Sequence, residues 1–224
     1  FRGIKMLKSF KNLIFKSEDI CLFCKENTSG PYNHICSSCM ELIEMRNKEV
    51  KLVSPYINKI YYSCFYNRFI RDSIHSFKFE GKPYLYKAFG ELLLITMEEI
   101  KLSEKIEVIA FVPTHKRKKA LRGYNQSELL ATFVSDNLNI PLLKNHLLKT
   151  KWTTDQNKLD KVERRNNLTN SFKAINIQDF KDKEILLIDD IITTGTTIEE
   201  CAKVLKEAGA KSIYGLALTS GMRK

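Results

Sequence analysis

Two stretches of the chain combine residue types and spacings that could do chemistry. In the first, two Cys-x2-Cys pairs are separated by eleven residues, and they consist of Cys21, Cys24, Cys36 and Cys39. Each pair can turn two thiolates onto one ion, and two pairs complete a tetrahedral S4 site. We predict a compact zinc finger over residues 17–45. Its metal should be structural, because four protein ligands leave no position open for catalysis.

An iron–sulfur cluster and two disulfides are the alternatives for this quartet. Two paired turns suit a redox-silent tetrahedral ion better than a cluster, and the rest of the chain has the composition of a protein from a reduced compartment. His34 lies between the pairs and could substitute for a thiolate. The other cysteines, Cys64 and Cys201, stand in apolar surroundings and are interpreted as small buried side chains.

The second stretch runs from Ile185 to Thr197 and joins a buried strand to a helix. Four apolar residues end at Ile188, and Asp189 and Asp190 follow where the strand is expected to leave the sheet. The next loop consists of small hydroxyl residues around one glycine: Thr193, Thr194, Gly195, Thr196 and Thr197. The stretch therefore presents two acids and then a set of hydrogen-bond donors.

This order of residues fits a phosphorylated sugar. Backbone N–H groups at a helix N-terminus bind phosphate, and threonine hydroxyls add donors without bulk. The carboxylates would repel a phosphate beside them, so we expect them to contact sugar hydroxyls or Mg2+. Adjacent strand residues point to opposite faces, which predicts different roles for Asp189 and Asp190. The alternative is a helix capped by Thr194 or Thr196 after a solvated acidic turn.

Phosphate-binding motifs of other folds do not occur in the sequence. It contains neither G-x-x-x-x-G-K-[ST] nor G-x-G-x-x-G, so neither a P-loop nor a dinucleotide-binding turn is predicted. The Ile-Leu-Leu-Ile-Asp-Asp run could open a receiver domain, but only 34 residues follow Asp190. That number is too small for a receiver domain.

The elements that must position the loop alternate as in an α/β protein. The patterns predict strands and helices in the order strand, helix, strand, helix, strand at 108–112, 125–137, 185–188, 197–208 and 212–219. Such alternation favours a parallel sheet flanked by helices, with ligands at the carboxyl ends of the strands. We predict one domain over 55–224, with an accessory portion at 55–105 and a core at 106–224.

The net charge is +11, from 37 basic and 26 acidic residues. It favours polyanionic partners such as nucleic acid, an anionic membrane or phosphorylated metabolites, with a solubilising surface as the alternative. Five cations follow the strand at 108–112: Lys116, Arg117, Lys118, Lys119 and Arg122. Some could contact a pyrophosphate and others a nucleic-acid backbone, with Tyr124 and Trp152 as stacking platforms. Arg164 and Arg165 form a further basic patch, and a solvated loop is the alternative.

The apolar runs are too short to predict a membrane span, which needs about 18 residues. Residues 4–14 could form an amphipathic helix that packs on its own domain or lies on a membrane surface. Residues 1–16 lack the features of a secretory signal. We expect a cytoplasmic protein, with peripheral contact at the inner face of the membrane as an option.

The chain resembles the ComF family of competence proteins, which have a type I phosphoribosyltransferase domain. The resemblance covers nearly the whole chain. Its motifs occur in a fixed order: the cysteine quartet, 77–81, 112–113, 122–126, 153–156, 164–167 with Phe172, and the acidic loop. Two positions differ from the family pattern. Thr114 replaces a frequent proline, and Lys149 or Lys151 replaces an arginine before 153–156.

The resemblance implies a ligand, phosphoribosyl pyrophosphate (PRPP). Asp189 and Asp190 would then address its ribose hydroxyls, the loop 193–197 its 5′-phosphate, and the turn Val112-Pro113-Thr114 its pyrophosphate with Mg2+. It also implies a role in natural transformation, handling incoming single-stranded DNA with competence or DNA-processing proteins. Two alternatives stay open: an active phosphoribosyltransferase with unknown acceptor and catalytic residues, and a PRPP-sensing regulator that acts through protein partners.

Overall fold

The computed structural model describes residues 20–28, 31–152 and 168–221. Three predicted features lie outside the described residues: the amphipathic pattern at 4–14, the motif at 153–156 and the basic pair Arg164 and Arg165. The predictions made for them therefore stay predictions.

A five-stranded sheet forms the centre of the protein. Its strands are β1 (Met45–Glu49), β2 (Lys59–Cys64), β3 (Val108–Phe111), β6 (Glu184–Ile192) and β7 (Ser212–Ser220), and their spatial order is β1-β2-β7-β6-β3. The last four strands of this order are parallel, whereas β1 pairs antiparallel with β2 at the edge. A separate antiparallel pair consists of β4 (Leu147–Lys149) and β5 (Phe172–Ala174). The predicted parallel sheet is confirmed.

Six helices of the described residues accompany these strands: α1 (Ser37–Glu41), α2 (Arg68–Phe79), α3 (Tyr86–Glu99), α4 (Lys116–Arg122), α5 (Gln126–Leu138) and α6 (Thr196–Glu207). Asparagine side chains cap α2 and α5, because Asn67 accepts from the N–H of Ile70 and Asn125 from that of Ser127. Helix α6 ends just before Gly209, which has φ +91° and lies where the sequence predicted the stop.

The two faces of the sheet are covered by different layers. Leu186 and Ile188 of β6 pack in one apolar cluster with residues of α2, α3 and α5. Ile185 and Leu187 pack in a second cluster with residues of α6 and with Phe172 of β5. Side chains alternate along a strand, so successive residues of β6 enter opposite layers. By the same alternation, Asp189 and Asp190, which follow Ile188, are expected to point to opposite faces of the sheet.

Strand β6 is longer than predicted. Its pairing with β3 ends at Phe111 and Ile188, but its pairing with β7 continues to Ile192 and Ser220. Asp189 and Asp190 therefore lie within a strand, and the prediction that they follow its end was wrong. The reason is that the pairing along the two edges of β6 ends at different residues, at Ile188 on the β3 side and at Ile192 on the β7 side. The chain turns away at Pro113, which has no N–H to donate, while β7 still offers a partner.

The central sheet also crosses the boundary that the sequence analysis drew at 105/106. Strand β2 lies between β1 and β7, and its Ile60 is opposite Gly215. Its partner in the sheet is thus about 150 residues away along the chain. The predicted accessory portion consequently supplies a strand to the sheet as well as helices α2 and α3.

The cysteine-rich segment is docked on α2 and α3. The buried carboxylate of Glu91 on α3 accepts hydrogen bonds from the N–H groups of Asn33 and His34, at 3.0 and 3.1 Å. The ring of Phe23 lies 5.2 Å from that of Phe69 and 5.5 Å from that of Phe89. The segment therefore shares its apolar interior with the main domain.

Candidate functional site

A cavity of about 550 Å3 lies where β3 ends and β6 continues. Eight of the predicted ligand residues line it: Val112, Pro113, Thr114, Asp189, Asp190, Thr193, Gly195 and Thr197. The volume falls in the usual range of small-molecule sites, about 300–1,000 Å3. The structure thus brings the turn, the acid pair and the threonine loop to one place.

Helix α6 begins at a glycine whose conformation the loop requires. Gly195 is the N-cap residue with φ +79°, and a Cβ there would lie 2.9 Å from Cδ2 of Leu52. A glycine N-cap has no side chain that could bond the N–H groups of the first turn. Such N–H groups at a helix N-terminus can bind a phosphate.

Two of the predicted loop residues face away from the cavity. Thr194 and Thr196 do not line it, and their hydroxyl oxygens lie 2.9 Å apart. The N–H of Thr196 also donates to Oγ1 of Thr194, at 3.4 Å. These residues support the shape of the loop but do not cap α6, whose N-cap is Gly195, while Thr193, Gly195 and Thr197 line the cavity.

Asp189 and Asp190 are both buried, and they have different partners. Oδ2 of Asp190 lies 2.7 Å from Nζ of Lys78, which projects from α2. Oδ1 of Asp189 accepts from the Ser127 hydroxyl at 3.0 Å and from the N–H of Asp190 at 2.9 Å. Asp190 therefore has a direct ion pair with Lys78, and Asp189 has hydrogen bonds from Ser127 and from the backbone.

Burial and the adjacent Asp190 carboxylate raise the pKa of Asp189 from 3.8 to about 7, against the opposing effect of Lys78. Between these pH values the folded protein holds a proton that the unfolded chain has released. The stabilising effect of that proton is complete below about pH 4 and is lost as the pH rises to about 7. Near neutral pH the acid pair thus lowers the stability of the free protein and favours a cation or hydroxyl donor.

The run of five cations is divided between two faces of α4. Lys118 and Arg122 line the cavity together with His115, the N-cap residue of α4. His115, Lys118 and Arg122 are spaced by three and then four residues, which places them on one side of the helix. The other three predicted residues, Lys116, Arg117 and Lys119, are exposed and do not line it. Lys119 is paired with Glu128 at 2.6 Å.

Tyr124 takes part in packing. Its ring lies 5.9 Å from that of Phe77 in a stacked arrangement, and its hydroxyl donates to the Phe77 carbonyl. The side chain is only half exposed. These contacts weigh against its predicted use as a platform for bases.

Several residues of the cavity wall were not assigned by the sequence analysis. Helix α2 supplies Arg71, His75, Lys78 and Phe79, and the segment before it supplies Tyr66. Lys149 also lines the cavity, and burial lowers its pKa, whereas Lys151 donates to the Thr169 carbonyl and does not line it. Lys78 and Phe79 belong to motif 77–81 of the family, but the sequence did not indicate that this motif lines the cavity.

The four cysteines of the finger fit a tetrahedral metal ion. Their Sγ atoms all lie within 4.8 Å of one another, and those of Cys24 and Cys36 are 3.6 Å apart. A tetrahedral ion with Zn–S bonds of about 2.3 Å needs sulfurs about 3.8 Å apart. Every cysteine is free, and His34 is outside the cluster. The geometry of the quartet therefore fits a structural metal site.

Replacing Lys78 by methionine is expected to destabilise the free protein by about 2 kcal/mol at pH 8, since it removes the ion-pair partner of the buried Asp190. The loss should be smaller at pH 5.5, where the acid pair can take up a proton. Urea unfolding at both pH values measures the difference. Lys82→Met is the control, because it removes an exposed pair with Glu80 and should leave the midpoint nearly unchanged. Equal losses at both pH values would contradict the coupling to the acids.

Comparison with known proteins agrees with the fold. A family model described as a phosphoribosyl transferase domain matches residues 126–222, from the start of α5 past the end of β7. Over 213 residues the chain is 30% identical to Competence protein F of Haemophilus influenzae, covering 92% of this chain and 93% of that protein.

Two further matches extend the comparison. The DNA utilization protein YhgH of Escherichia coli O157:H7 is 30% identical over 144 residues, which is 62% of each chain. A purine phosphoribosyltransferase from Pyrococcus horikoshii Ot3 aligns with a TM-score of 0.37 and 16% identity over 61% of this chain and 83% of that chain.

A mostly parallel sheet with its cavity at the strands' carboxyl ends, together with the matched domain, defines a protein of phosphoribosyltransferase fold. The four-cysteine finger is its N-terminal addition. The chain belongs to the ComF family, the family of competence protein F, as its motifs predicted. Among the described residues, no helix is long and apolar enough to cross a membrane.

Proposed function

We propose that this protein binds PRPP with Mg2+ and handles incoming single-stranded DNA during natural transformation. The observation that carries the first part is the convergence of the 112–114 turn, the acid pair and the start of α6 on one cavity. Each of these parts suits a different group of one ligand.

The N-terminus of α6 suits the 5′-phosphate, since its first N–H groups follow a glycine cap. Asp189 and Asp190 suit the ribose hydroxyls. The turn at Val112 suits the pyrophosphate, because Lys118, Arg122 and Lys149 line the same cavity. Mg2+ would neutralise charge on the pyrophosphate and prefers oxygen ligands, which the acid pair and the ligand both offer. The finger would hold zinc, a redox-silent ion suited to four thiolates.

The DNA part of the proposal is supported by charge and by relatives. The chain carries a net charge of +11, which attracts polyanions. Two relatives are named for competence and for DNA utilization. With this function the protein would work in the cytoplasm, at the inner face of the membrane where incoming strands arrive, and would contact DNA-processing proteins.

The wall formed by α2 favours a second candidate, an active phosphoribosyltransferase. Tyr66, His75 and Phe79 line the same cavity as the acid pair and could seat an acceptor. Transfer would break the bond between C1 and the pyrophosphate oxygen and form a bond from C1 to the acceptor. The acids would stabilise positive charge on the sugar as pyrophosphate leaves. Pyrophosphate release with a panel of nucleobases and other acceptors tests this candidate.

Calorimetric titration tests the ligand itself. We expect PRPP to bind in the presence of Mg2+ and at least about tenfold more weakly in buffer from which Mg2+ is left out, because the cation offsets repulsion between the pyrophosphate and the acids. Ribose 5-phosphate is the matched control: it keeps the groups assigned to the acids and α6, so it should bind, but more weakly. No heat with PRPP and Mg2+ would remove the ligand from the proposal. Equal affinity for both compounds would remove the pyrophosphate subsite.

A further inference from the structure

The basic helix α4 lies on the rim of the cavity with an exposed aromatic ring at each end. At its N-terminal end, the Trp152 ring lies 5.3 Å from the His115 ring, edge to face. At its C-terminal end, the Arg122 guanidinium lies 5.1 Å from the centre of the Phe79 ring. Trp152 is 49% exposed and Phe79 61% exposed, and both also line the cavity.

The two rings contact α4 residues that are well separated, which favours two separate contacts with a ligand. His115 and Arg122 are seven residues apart on α4, which a rise of about 1.5 Å per residue converts to about 10 Å. Two rings that sandwich a single base would be much closer together. Between them lies Lys118, which faces the same cavity.

An extended cationic surface with aromatic rings along it is the arrangement that binds single strands, whose backbone follows the charges while bases stack on the rings. We propose that Phe79, Arg122, Lys118, His115 and Trp152 form one track for single-stranded nucleic acid, here called the rim track. The bases would stack on Phe79 and Trp152, and the phosphates would follow α4. The choice of a nucleic-acid strand as occupant rests on the proposed function; the placement rests on the contacts above.

Some residues of the rim track contribute positive charge and others contribute stacking surfaces. Lys118 and Arg122 supply charge on the cavity face, while Lys119 lies on another face of α4, next to Glu128. Burial and the nearby cations Arg117, Lys116 and Lys149 lower the pKa of His115, so its imidazole is neutral at pH 7. His115 therefore positions Trp152 and adds no charge.

The rim track also predicts how the two ligands affect each other. Lys118 and Arg122 belong both to the track and to the cavity wall where the pyrophosphate is proposed to sit. One set of cations cannot neutralise two anions fully, and the anions repel each other. Bound PRPP should therefore weaken strand binding, and a bound strand should weaken PRPP binding by the same factor.

Fluorescence anisotropy with labelled oligo(dT) and the full chain tests the rim track. We expect Phe79→Ala with Trp152→Ala to weaken binding at least about fivefold per ring, with an unchanged salt slope because no charge is lost. Lys118→Gln with Arg122→Gln should weaken binding and reduce the slope. Phe65→Ala is the matched control. Phe65 is 48% exposed and lies 5.4 Å below the Arg46 guanidinium, but it does not line the cavity.

The outcomes separate the track from the proposed ligand. Wild-type affinity in the Phe79/Trp152 variant, equal loss in the Phe65 variant, or binding of anionic vesicles but not of oligo(dT) would overturn the rim track. Binding of oligo(dT) is measured first, without PRPP, so it tests the rim track alone. Calorimetry with PRPP on the same samples then tests the proposed ligand separately. If PRPP binds, saturating PRPP and Mg2+ should raise the Kd for oligo(dT) at least about fivefold. An unchanged or lowered Kd would contradict the shared cations.

Discussion

Asparagine in place of Asp189 is expected to weaken PRPP binding and, at the same time, to make the free protein more stable at pH 8. The ligand loses a charged partner for its sugar hydroxyls and cation, which corresponds to at least tenfold weaker binding. The free protein gains because a buried carboxylate, charged at pH 8 beside Asp190, becomes neutral. We expect a gain of about 2 kcal/mol.

The gain in stability has a defined pH dependence. The raised pKa of Asp189, about 7, means that the wild-type side chain is protonated well below that pH. The difference between variant and wild type should therefore shrink from pH 8 to pH 5 and nearly vanish by pH 4. Urea unfolding over this range measures it, and calorimetry with PRPP and Mg2+ at pH 8 measures the ligand.

Asp136→Asn is the matched control for Asp189→Asn. Asp136 is exposed on α5 and does not line the cavity, so its replacement should change neither stability nor binding. A stable Asp189 variant with wild-type affinity would remove Asp189 from the ligand site. A variant less stable than wild type at pH 8 would show that the carboxylate holds the fold together, through its bonds from Ser127 and from the N–H of Asp190.

Stripping the metal from the four-cysteine cluster is expected to unfold the finger and to lower the melting temperature of the whole protein. Structural zinc sites in isolated fingers have apparent binding free energies of about 10–16 kcal/mol. The effect should extend beyond the finger, because Phe23 and Ile35 pack against the helices that cover one face of the sheet. Readdition of zinc should restore the transition.

Metal analysis, thermal unfolding and hydrogen exchange of residues 20–45 together measure this prediction. Cys36→Ser should remove the metal and the protection, since Cys36 is both a ligand and the N-cap of α1, where its sulfur accepts from the Cys39 N–H. Cys64→Ser is the control. Cys64 is buried outside the cluster and donates to the Leu218 carbonyl, a bond that serine can also make. A metal-free protein that melts at the same temperature would contradict a structural role.

If both predictions hold, the protein combines a stabilising site with a destabilising one. The finger strengthens the layer of α2 and α3 that carries Lys78 over the acid pair. The acid pair weakens the free fold near neutral pH and is relieved by ligand. Binding sites often contain groups that lower the stability of the free protein, since a site poised for a ligand holds charges that the ligand satisfies.

The sequence was sufficient for features whose geometry is local. Two Cys-x2-Cys turns place their thiols together without help from distant residues. A strand, a glycine and a helix cap define the loop around Gly195 within a dozen positions. Helices α5 and α6 were predicted to within a residue or two, because their periodic apolar residues and the residues that stop them are adjacent in the chain.

The tertiary structure decided whatever depends on distant partners. The extension of β6 past Ile188 follows from β7, and the place of β2 in the sheet follows from a partner about 150 residues away. Lys78 reaches Asp190 only because α2 packs over the end of the sheet.

The sequence by itself therefore determined the cysteine quartet, the acid pair and the glycine–threonine loop. Only the tertiary structure decided which cations of α4 face the cavity and which aromatic rings stand beside them. The physical reason is that hydrogen bonds and turns act between near neighbours in the chain, so local patterns reveal them. Packing of helices on a sheet joins residues without regard to their separation, and no local pattern specifies which side chains then meet.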